Sequence, residues 1–187
     1  MFEYIVLGMV LREPLTGYDI KKKIETGIGN LIKASHGSLY PALKKLTDKG
    51  YLAMNEQMQG QRIKKYYMAT EIGETIFLEW LSLPFDQNIN NETHLAKIFL
   101  FGELPKEIRI KRLQEYEFYF RQMLQQLQSI KKQLSIETLS DRDYFQISTF
   151  YFSYQTLLNT IRWVEYIKEQ KPLSEFIIDN GKGEDDL

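Results

Sequence analysis

One stretch of this chain, residues 35–46, constrains the fold more than any other. Leu39, Leu43 and Leu46 recur at positions i, i+4 and i+7, which predicts a helix with one apolar face that packs on a core. The other face carries hydroxyls, an aromatic ring and lysines, and no carboxylate occurs before Asp48. The residues of this polar face are Ser38, Tyr40, Pro41, Lys44, Lys45 and Lys49.

The start of this helix has features that suit contact with DNA. We expect Ser38 to be its N-cap and Pro41 to lie in the first turn, where a missing N–H costs no intrahelical hydrogen bond. His36, just before it, is a candidate for a capping or DNA contact. The N–H groups of a helix N-terminus can meet phosphate, and short polar side chains can reach base edges. Taken alone, the stretch favours an ordinary amphipathic surface helix over a DNA-binding helix. The neighbouring segments of the sequence reverse this preference.

Two helices are predicted before this stretch. Residues 2–11 are apolar nearly all round, which indicates a buried first helix that Pro14 ends. Thr16 then caps a second helix, and Asp19 at the third helical position acts like the acid of a capping box. Lys22 stays on the polar side of that helix, where it is either solvated or faces phosphate.

A β-hairpin is predicted after Gly50, because the apolar period changes there from 3.6 to 2 and a glycine-containing turn at 59–61 divides two such runs. Arg62, Lys64 and Lys65 lie near the tip of the hairpin, and no acid follows Glu56 in it. A hairpin end that is merely exposed to solvent would show the same cluster of basic residues. Beside the preceding helix, we favour a wing that lies along the phosphate backbone.

A helix capped by Thr70 and a linker are expected to follow the hairpin. Trp80 could line a ligand pocket, although a tryptophan at helical spacing is more often part of a core. Residues 84–93 are polar, rich in asparagine and broken by proline, which predicts a boundary between domains. The expected buried stripe of the helix is Ile72, Ile76, Phe77 and Trp80.

Three motifs occur in order in the first half: L-T-G-Y-D-I at 15–20, G-S-L-Y-P-A-L-K-K-L at 37–46 and K-Y-Y-M-A-T-E-I-G-E at 65–74. Together they resemble the DNA-binding domain of PadR-family transcriptional regulators over residues 1–83. The resemblance implies a winged helix-turn-helix in which residues 35–46 are the recognition helix. It implies that Ser38, Tyr40, Pro41 and Lys44 face the DNA groove. Their exposed positions suggest phosphate contacts for Lys22, Lys45, Arg62, Lys64 and Lys65.

The second half begins with a heptad pattern from Ile110 to Leu134. Seven apolar residues at a and d positions over three heptads are typical of a coiled-coil seam. One helix of a bundle would show the same pattern, and both interpretations can hold together. The seam residues proposed as dimer contacts are Leu113, Phe120, Leu127 and Leu134.

A second long helix, residues 141–171, is unusually aromatic on more than one face, which indicates burial against its own domain and against a partner subunit. The family resemblance implies the same, since these regulators dimerise through C-terminal helices. Phe150, Leu157 and Trp163 are the candidate dimer contacts. Tyr154 and Trp163, with Trp80, are candidates for binding an aromatic or hydrophobic effector, because some relatives respond to phenolic acids or hydrophobic drugs.

The distribution of charge permits DNA binding without predicting it. The whole chain has a net charge of −1, but residues 1–83 hold 11 basic against 9 acidic side chains, and residues 84–187 hold 13 against 16. A dimer would double the basic side of the first half. The acidic end, residues 180–187, is predicted to be a disordered tail.

Residue patterns typical of catalysis or metal binding do not occur. The chain has no cysteine, and neither of its two histidines has a second ligand at metal spacing. It also has no nucleophile elbow, phosphate loop or dinucleotide fingerprint. We therefore expect no enzyme activity, no metal and no cofactor. The lack of cysteine, of a signal-like start and of a membrane-length apolar run predicts a cytoplasmic protein without a membrane partner.

The sequence thus predicts a mainly α fold with a small β-hairpin wing. A winged helix-turn-helix (1–83) and a linker (84–93) would precede an all-helical dimerisation domain (94–179). The predicted function is a homodimeric regulator that binds a pseudo-palindromic double-stranded DNA operator, more often as a repressor, and is released by a small-molecule effector. Two alternatives stay open: a protein-interaction adaptor on a winged-helix scaffold, and a sensor or carrier of aromatic small molecules.

Overall fold

The structure is a computed structural model that describes residues 1–60, 62–134 and 139–179. The chain divides into two compact units, Met1–Lys106 and Glu107–Leu187. The disordered tail expected at 180–187 lies outside the described residues, as does Gln61.

The first unit combines helices with a small antiparallel sheet whose strand order is β1-β3-β2. The short strand β1 was not predicted from the sequence, because two residues carry no readable period. The elements are α1 (Phe2–Met9), β1 (Leu15–Thr16), α2 (Gly17–Ile28), α3 (His36–Asp48), β2 (Leu52–Gln59), β3 (Arg62–Ala69), α4 (Glu71–Ser82) and α5 (Asn91–Leu100).

The core of this unit is built around α1. Ile5, Val6 and Leu7 have no exposed surface, as the nearly uniform apolar run predicted. The next helix, α2, begins with the expected capping box: the Thr16 hydroxyl accepts a hydrogen bond from the Asp19 N–H at 3.2 Å. This cap satisfies an N–H group that the first turn leaves unpaired, and it fixes where α2 starts.

The helix α4 packs with a different stripe from the one expected. Thr70 is its N-cap as predicted, but Ile72 is 61 % exposed. Phe77 is buried as expected, and the other buried residues of the helix are Gly73 and Leu81. The reason is a close approach of two backbones, since a β-carbon at Gly73 would lie 2.0 Å from the carbonyl oxygen of Tyr51. Because that approach fixes which side of α4 faces the sheet, Ile72 is rotated toward solvent.

The first unit extends further along the chain than the predicted winged-helix domain. The helix α5 is capped by Asn90 and buries Ala96 completely. Its Lys97 is also buried, with its ammonium 5.2 Å from the centre of the Trp80 ring. The segment 84–93 therefore connects elements of one compact unit, and the functional boundaries at 83 and 94 stay predictions.

The second unit is helical, with α6 (Lys106–Lys131), α7 (Asp141–Glu169) and α8 (Leu173–Asp179). A buried cluster holds α6 and α7 together. Arg121 on α6 also pairs with Glu165 on α7, and Glu117 pairs with Lys168. The cluster consists of Leu124, Tyr154, Leu157 and Ile161, with Phe120, Met123, Leu127, Phe150 and Leu158 packed against it.

These elements confirm the predicted fold class: a mainly helical chain with a three-stranded antiparallel wing sheet and helical C-terminal elements. Among the residues described, no helix combines the length and the apolar character that crossing a membrane requires.

The close approach at Gly73 gives a test of the packing. Gly73→Ala should lower the free energy of unfolding by about 2 kcal/mol or more, because the new methyl group meets backbone that cannot move aside. Gly102→Ala is the matched control: a β-carbon there meets no atom within 4 Å, and the change should stay within about 0.5 kcal/mol. Urea unfolding followed by circular dichroism measures both, and equal effects would contradict the packing.

Candidate nucleic-acid interface

The helix α3 begins three residues earlier than the sequence analysis expected. Ser35, not Ser38, is its N-cap, and the two serines form a reciprocal capping box. The Ser35 hydroxyl accepts from the Ser38 N–H at 3.1 Å, while the Ser38 hydroxyl accepts from the Ser35 N–H at 3.0 Å. His36 therefore lies within the first turn, and the Ser38 hydroxyl is engaged in the cap.

The earlier start also moves Pro41 out of the first turn. It lies inside α3, where the proline nitrogen cannot donate to the carbonyl four residues before it, that of Gly37. Both residues are exposed, so this end of the helix offers a carbonyl oxygen to water or to a bound partner.

The most prominent feature of the exposed side of α3 is an aromatic pair, His36 and Tyr40. Their ring centres are 5.6 Å apart with an angle of 6° between the planes, and Tyr40 is 47 % exposed. The Tyr40 ring also approaches Gly17 at the start of α2, where a β-carbon would lie 3.2 Å from the ring. Gly17 therefore sets the position of the aromatic pair, a role that the sequence analysis missed.

The lysines of α3 are neutralised within the chain. Lys44 pairs with Asp48 at 2.6 Å, and Lys45 pairs with Glu3 of α1 at 2.7 Å. The hydrogen bond to Glu3 raises the pKa of Lys45, and the same bond from Lys45 lowers the pKa of Glu3. Both lysines are exposed, so a phosphate could compete with these carboxylates only by breaking or sharing an ion pair.

The wing carries its cations on both faces. Antiparallel pairing sets Gln57 opposite Lys64 and Gln59 opposite Arg62, on one face of the ribbon. Lys65 projects from the other face, 3.5 Å from Glu56. Within the described part of the chain, Arg62, Lys64 and Lys22 have no ion-pair partner. These three cations are the predicted phosphate contacts that need no rearrangement to bind an anion.

The candidate effector residues lie in separate settings. Trp80, in the first unit, stacks on Tyr4 with ring centres 4.7 Å apart. Tyr154, in the second unit, is buried in the cluster between α6 and α7, and the Lys131 ammonium lies 4.6 Å from its ring centre. Trp163 is half-buried and nine positions further along α7, which puts it on the opposite side of that helix.

Most of the candidate dimer residues are buried or packed against other residues of the same chain. Leu113 and Leu157 are buried, and Phe120, Leu127 and Phe150 pack on the cluster between α6 and α7. Leu134 follows the end of α6 and is half-buried. The helix α7 instead exposes three other aromatic side chains, each by 60 % or more: Tyr144, Phe145 and Phe152.

No group of three or more histidine or acidic side chains that could hold a metal ion occurs among the residues that the structure describes. His94 is buried beside Phe85, with its Nε2 2.9 Å from the carbonyl oxygen of Asp86. Burial lowers the pKa of His94, which favours its neutral form.

Residues 6–79 match the Transcriptional regulator PadR-like family. The match runs from α1 into α4 and includes the whole wing. The chain is 32 % identical over 103 residues to the negative transcriptional regulator PadR of Bacillus subtilis (strain 168), an alignment that covers 54 % of this chain. The chain thus spans little more than half, 57 %, of the length of that PadR relative. A match to a family of transcriptional regulators agrees with the expectation of a non-enzymatic protein.

Two solved structures of Bacillus subtilis PadR are also similar to this chain. The complex with operator DNA is 26 % identical with a TM-score of 0.44, and it covers 90 % of this chain and 98 % of that one. The complex with p-coumaric acid is 26 % identical with a TM-score of 0.41, covering 90 % and 97 %. The likeness to the PadR-like family rests on the N-terminal sequence rather than on these superpositions.

The contact between Gly17 and Tyr40 can be tested directly. Gly17→Ala should displace the Tyr40 ring by a few tenths of an ångström and change the ring-current shifts of the His36 imidazole protons, with little change in stability. The chain has only two histidines, so these NMR signals are easily assigned. Gly37→Ala is the control, since its β-carbon would meet only the Ser35 hydroxyl at 3.7 Å. Unchanged His36 shifts in Gly17→Ala would refute the positioning role.

Proposed function

We propose that this chain is a sequence-specific DNA-binding repressor that acts as a homodimer in the cytoplasm. The observation that carries the proposal is the exposed aromatic pair His36–Tyr40 at the capped start of α3. A buried leucine face holds this helix, so its exposed polar side chains can face a major groove. The name of the Bacillus subtilis relative, a negative transcriptional regulator, supports repression.

The proposed contacts divide into two chemical kinds. Tyr40, with His36 and Ser38, would meet base edges, and Pro41 and Lys44 would line the same groove. The phosphate contacts would come first from Lys22, Arg62 and Lys64. Lys45 and Lys65 would contribute by exchanging Glu3 and Glu56 for phosphate.

The proposal is tested by fluorescence anisotropy of the protein on its own upstream promoter fragment and on a scrambled duplex, over a salt series. A preference for the promoter of about 10³-fold or more, with a steep salt dependence, is expected of a sequence-specific regulator. Equal and weak binding to both duplexes would contradict the proposal and favour a protein-interaction adaptor.

Tyr40 is the residue whose removal should cost specificity most directly. Tyr40→Ala should weaken promoter binding by about 1–3 kcal/mol and leave the scrambled duplex nearly unaffected, as for a base contact. Tyr40→Phe keeps the ring stacked on His36, so comparing the two variants separates the hydroxyl from the ring. Anisotropy titrations at one fixed salt concentration measure all three proteins. If Tyr40→Ala bound the promoter as well as the parent, Tyr40 would not be a base-reading residue.

We propose that the exposed aromatic face of α7 is the dimer contact. Phe145 and Phe152 are seven residues apart, so they lie on one side of the helix, and they are 68 % and 73 % exposed. Exposed aromatic side chains of this size are typical of a surface that another subunit covers. Dimers of this kind would present two winged helices to a pseudo-palindromic operator.

Charging this aromatic face should dissociate the dimer. The double variant Phe145→Glu, Phe152→Glu should run as a monomer in multi-angle light scattering and lose most promoter affinity. The matched control, Gln146→Glu with Ser153→Glu, adds the same charge on the adjacent exposed side of α7 and should remain dimeric. Leu127 is unsuitable for this purpose, because it packs on the buried cluster of its own chain. A charged variant that still dimerised would place the contact elsewhere.

We also propose that an aromatic or hydrophobic small molecule releases the DNA. The support is the aromatic character of the second unit, and p-coumaric acid is the ligand in one structure of the Bacillus subtilis relative. Because Tyr154 is already packed in the core, Trp163 is the better candidate for ligand contact. Quenching of tryptophan fluorescence together with loss of anisotropy, on titration with a panel of aromatic acids, is the expected sign of such an effector.

A further inference from the structure

The ion pair between Glu3 and Lys45 joins two different helices. The other ion pair of α3, Lys44–Asp48, lies within the helix itself, so its carboxylate moves together with its lysine. The Glu3–Lys45 pair instead connects the first turn of α1 with the last turn of α3, and the two atoms are 2.7 Å apart. A cation of the proposed DNA-binding helix is thus held by a residue that lies outside that helix.

The helix that carries Glu3 cannot follow Lys45 if the lysine moves. Ile5, Val6 and Leu7 have no exposed surface, so the core fixes the position of α1. The Glu3 side chain is 33 % exposed, whereas the longer side chain of Lys45 is 57 % exposed. Lysine has a flexible four-carbon stem, so Lys45 can leave the pair while Glu3 stays beside α3.

Glu3 is negatively charged at neutral pH, because the hydrogen bond from Lys45 lowers the pKa of Glu3. The second oxygen of this carboxylate lies 3.9 Å from the ammonium of Met1, which is too far for a hydrogen bond, so Lys45 is the closer cation. An exposed ion pair of this kind contributes little to the stability of a fold. The carboxylate therefore matters more for what can approach Lys45 than for holding α1 and α3 together.

A phosphate that binds Lys45 has to take the place of this carboxylate. A lysine that is free before binding releases a counterion from the DNA, and this release raises the affinity and makes it depend on salt. When Lys45 leaves Glu3, however, the carboxylate is open to a cation from the solution, which offsets the counterion that the DNA releases. The contact then adds little to the affinity or to the salt slope.

This loss affects non-specific DNA more than the operator. Phosphate contacts supply essentially all of the affinity for a non-specific duplex, whereas a specific duplex adds base contacts. A complex without base contacts can also shift along the duplex until each available cation meets a phosphate. Holding back one cation therefore lowers non-specific binding by the larger share.

We propose that Glu3 is a specificity-determining residue, which holds Lys45 and thereby limits binding to DNA that lacks the operator sequence. This inference rests on the proposed DNA-binding function. Glu3 needs no contact with DNA in this role, since it acts through the lysine that it pairs with.

The test compares full-length Glu3→Gln with the parent on the promoter fragment and on the scrambled duplex, over a salt series. Glutamine keeps the size of the side chain and removes its charge. Glu3→Gln should bind the scrambled duplex about 3- to 10-fold more tightly at about 0.1 M salt, with a salt slope that is steeper by about one counterion. Affinity for the promoter should rise less, so the ratio of the two affinities falls.

Two further variants identify the cause of such a gain. Adding Lys45→Gln to Glu3→Gln should return the affinity and the salt slope on the scrambled duplex to the parent values or below. Glu169→Gln is the matched control, because it removes the same charge from an exposed ion pair of similar length, 2.8 Å to Lys171, at the end of α7. It should bind both duplexes as the parent does.

Parent affinity and slope of Glu3→Gln on the scrambled duplex would overturn the inference, as would an equal gain on both duplexes. An equal gain in Glu169→Gln would also overturn it, since net charge alone would then explain the effect. A gain that persisted in the double variant would mean that Lys45 is not its source. If the parent prefers the promoter while Glu3→Gln is unchanged, the inference fails alone. If the parent shows no preference, the proposed function itself fails.

Discussion

The burial of three leucines on α3 is the constraint on which the rest of the candidate site depends. Leu39 has no exposed surface, and Leu43 and Leu46 are at most 3 % exposed. Each fully buried leucine stabilises the fold by about 1.5–3 kcal/mol, so α3 cannot rotate about its axis without a large loss. This packing determines that Tyr40 and Lys44 project outward. The polar face points to solvent because the leucines on the opposite face of the helix must stay buried.

Charge plays a smaller part in the candidate site than the number of lysines suggests. Lys44 and Lys45 are each held by a carboxylate of the same chain. The pKa of Glu3 is lowered by its hydrogen bond from Lys45, so its carboxylate stays ionised at neutral pH and the pair persists there. Its stabilisation is present above the ordinary pKa of a glutamate and is lost only as the pH falls through the lowered value. Phosphate must therefore displace a carboxylate to recruit Lys45.

The sequence predicted the elements of the first unit well wherever a local signal existed. Residues close together in sequence were enough to predict the cap of α2, the hairpin and the apolar face of α3. The errors have tertiary causes. Ile72 was expected to be buried, but the approach of α4 to the Tyr51 carbonyl turns it outward. The cap of α3 was misplaced because two serines three residues apart are equally good caps, and only the folded geometry distinguishes them.

The second unit shows a different limit of sequence analysis. A heptad repeat indicates that a helix has an apolar side. It does not indicate whether the surface that packs on this side belongs to the same chain or to a second subunit. Here Leu127 and Phe120 pack on the cluster between α6 and α7, so this part of the repeat is covered within the chain. Phe145 and Phe152, which stay exposed, fall outside the repeat, and only the aromatic character of residues 141–171 indicated a partner surface there. An intersubunit surface is thus better inferred from what a folded chain leaves exposed than from the periodicity that folds it.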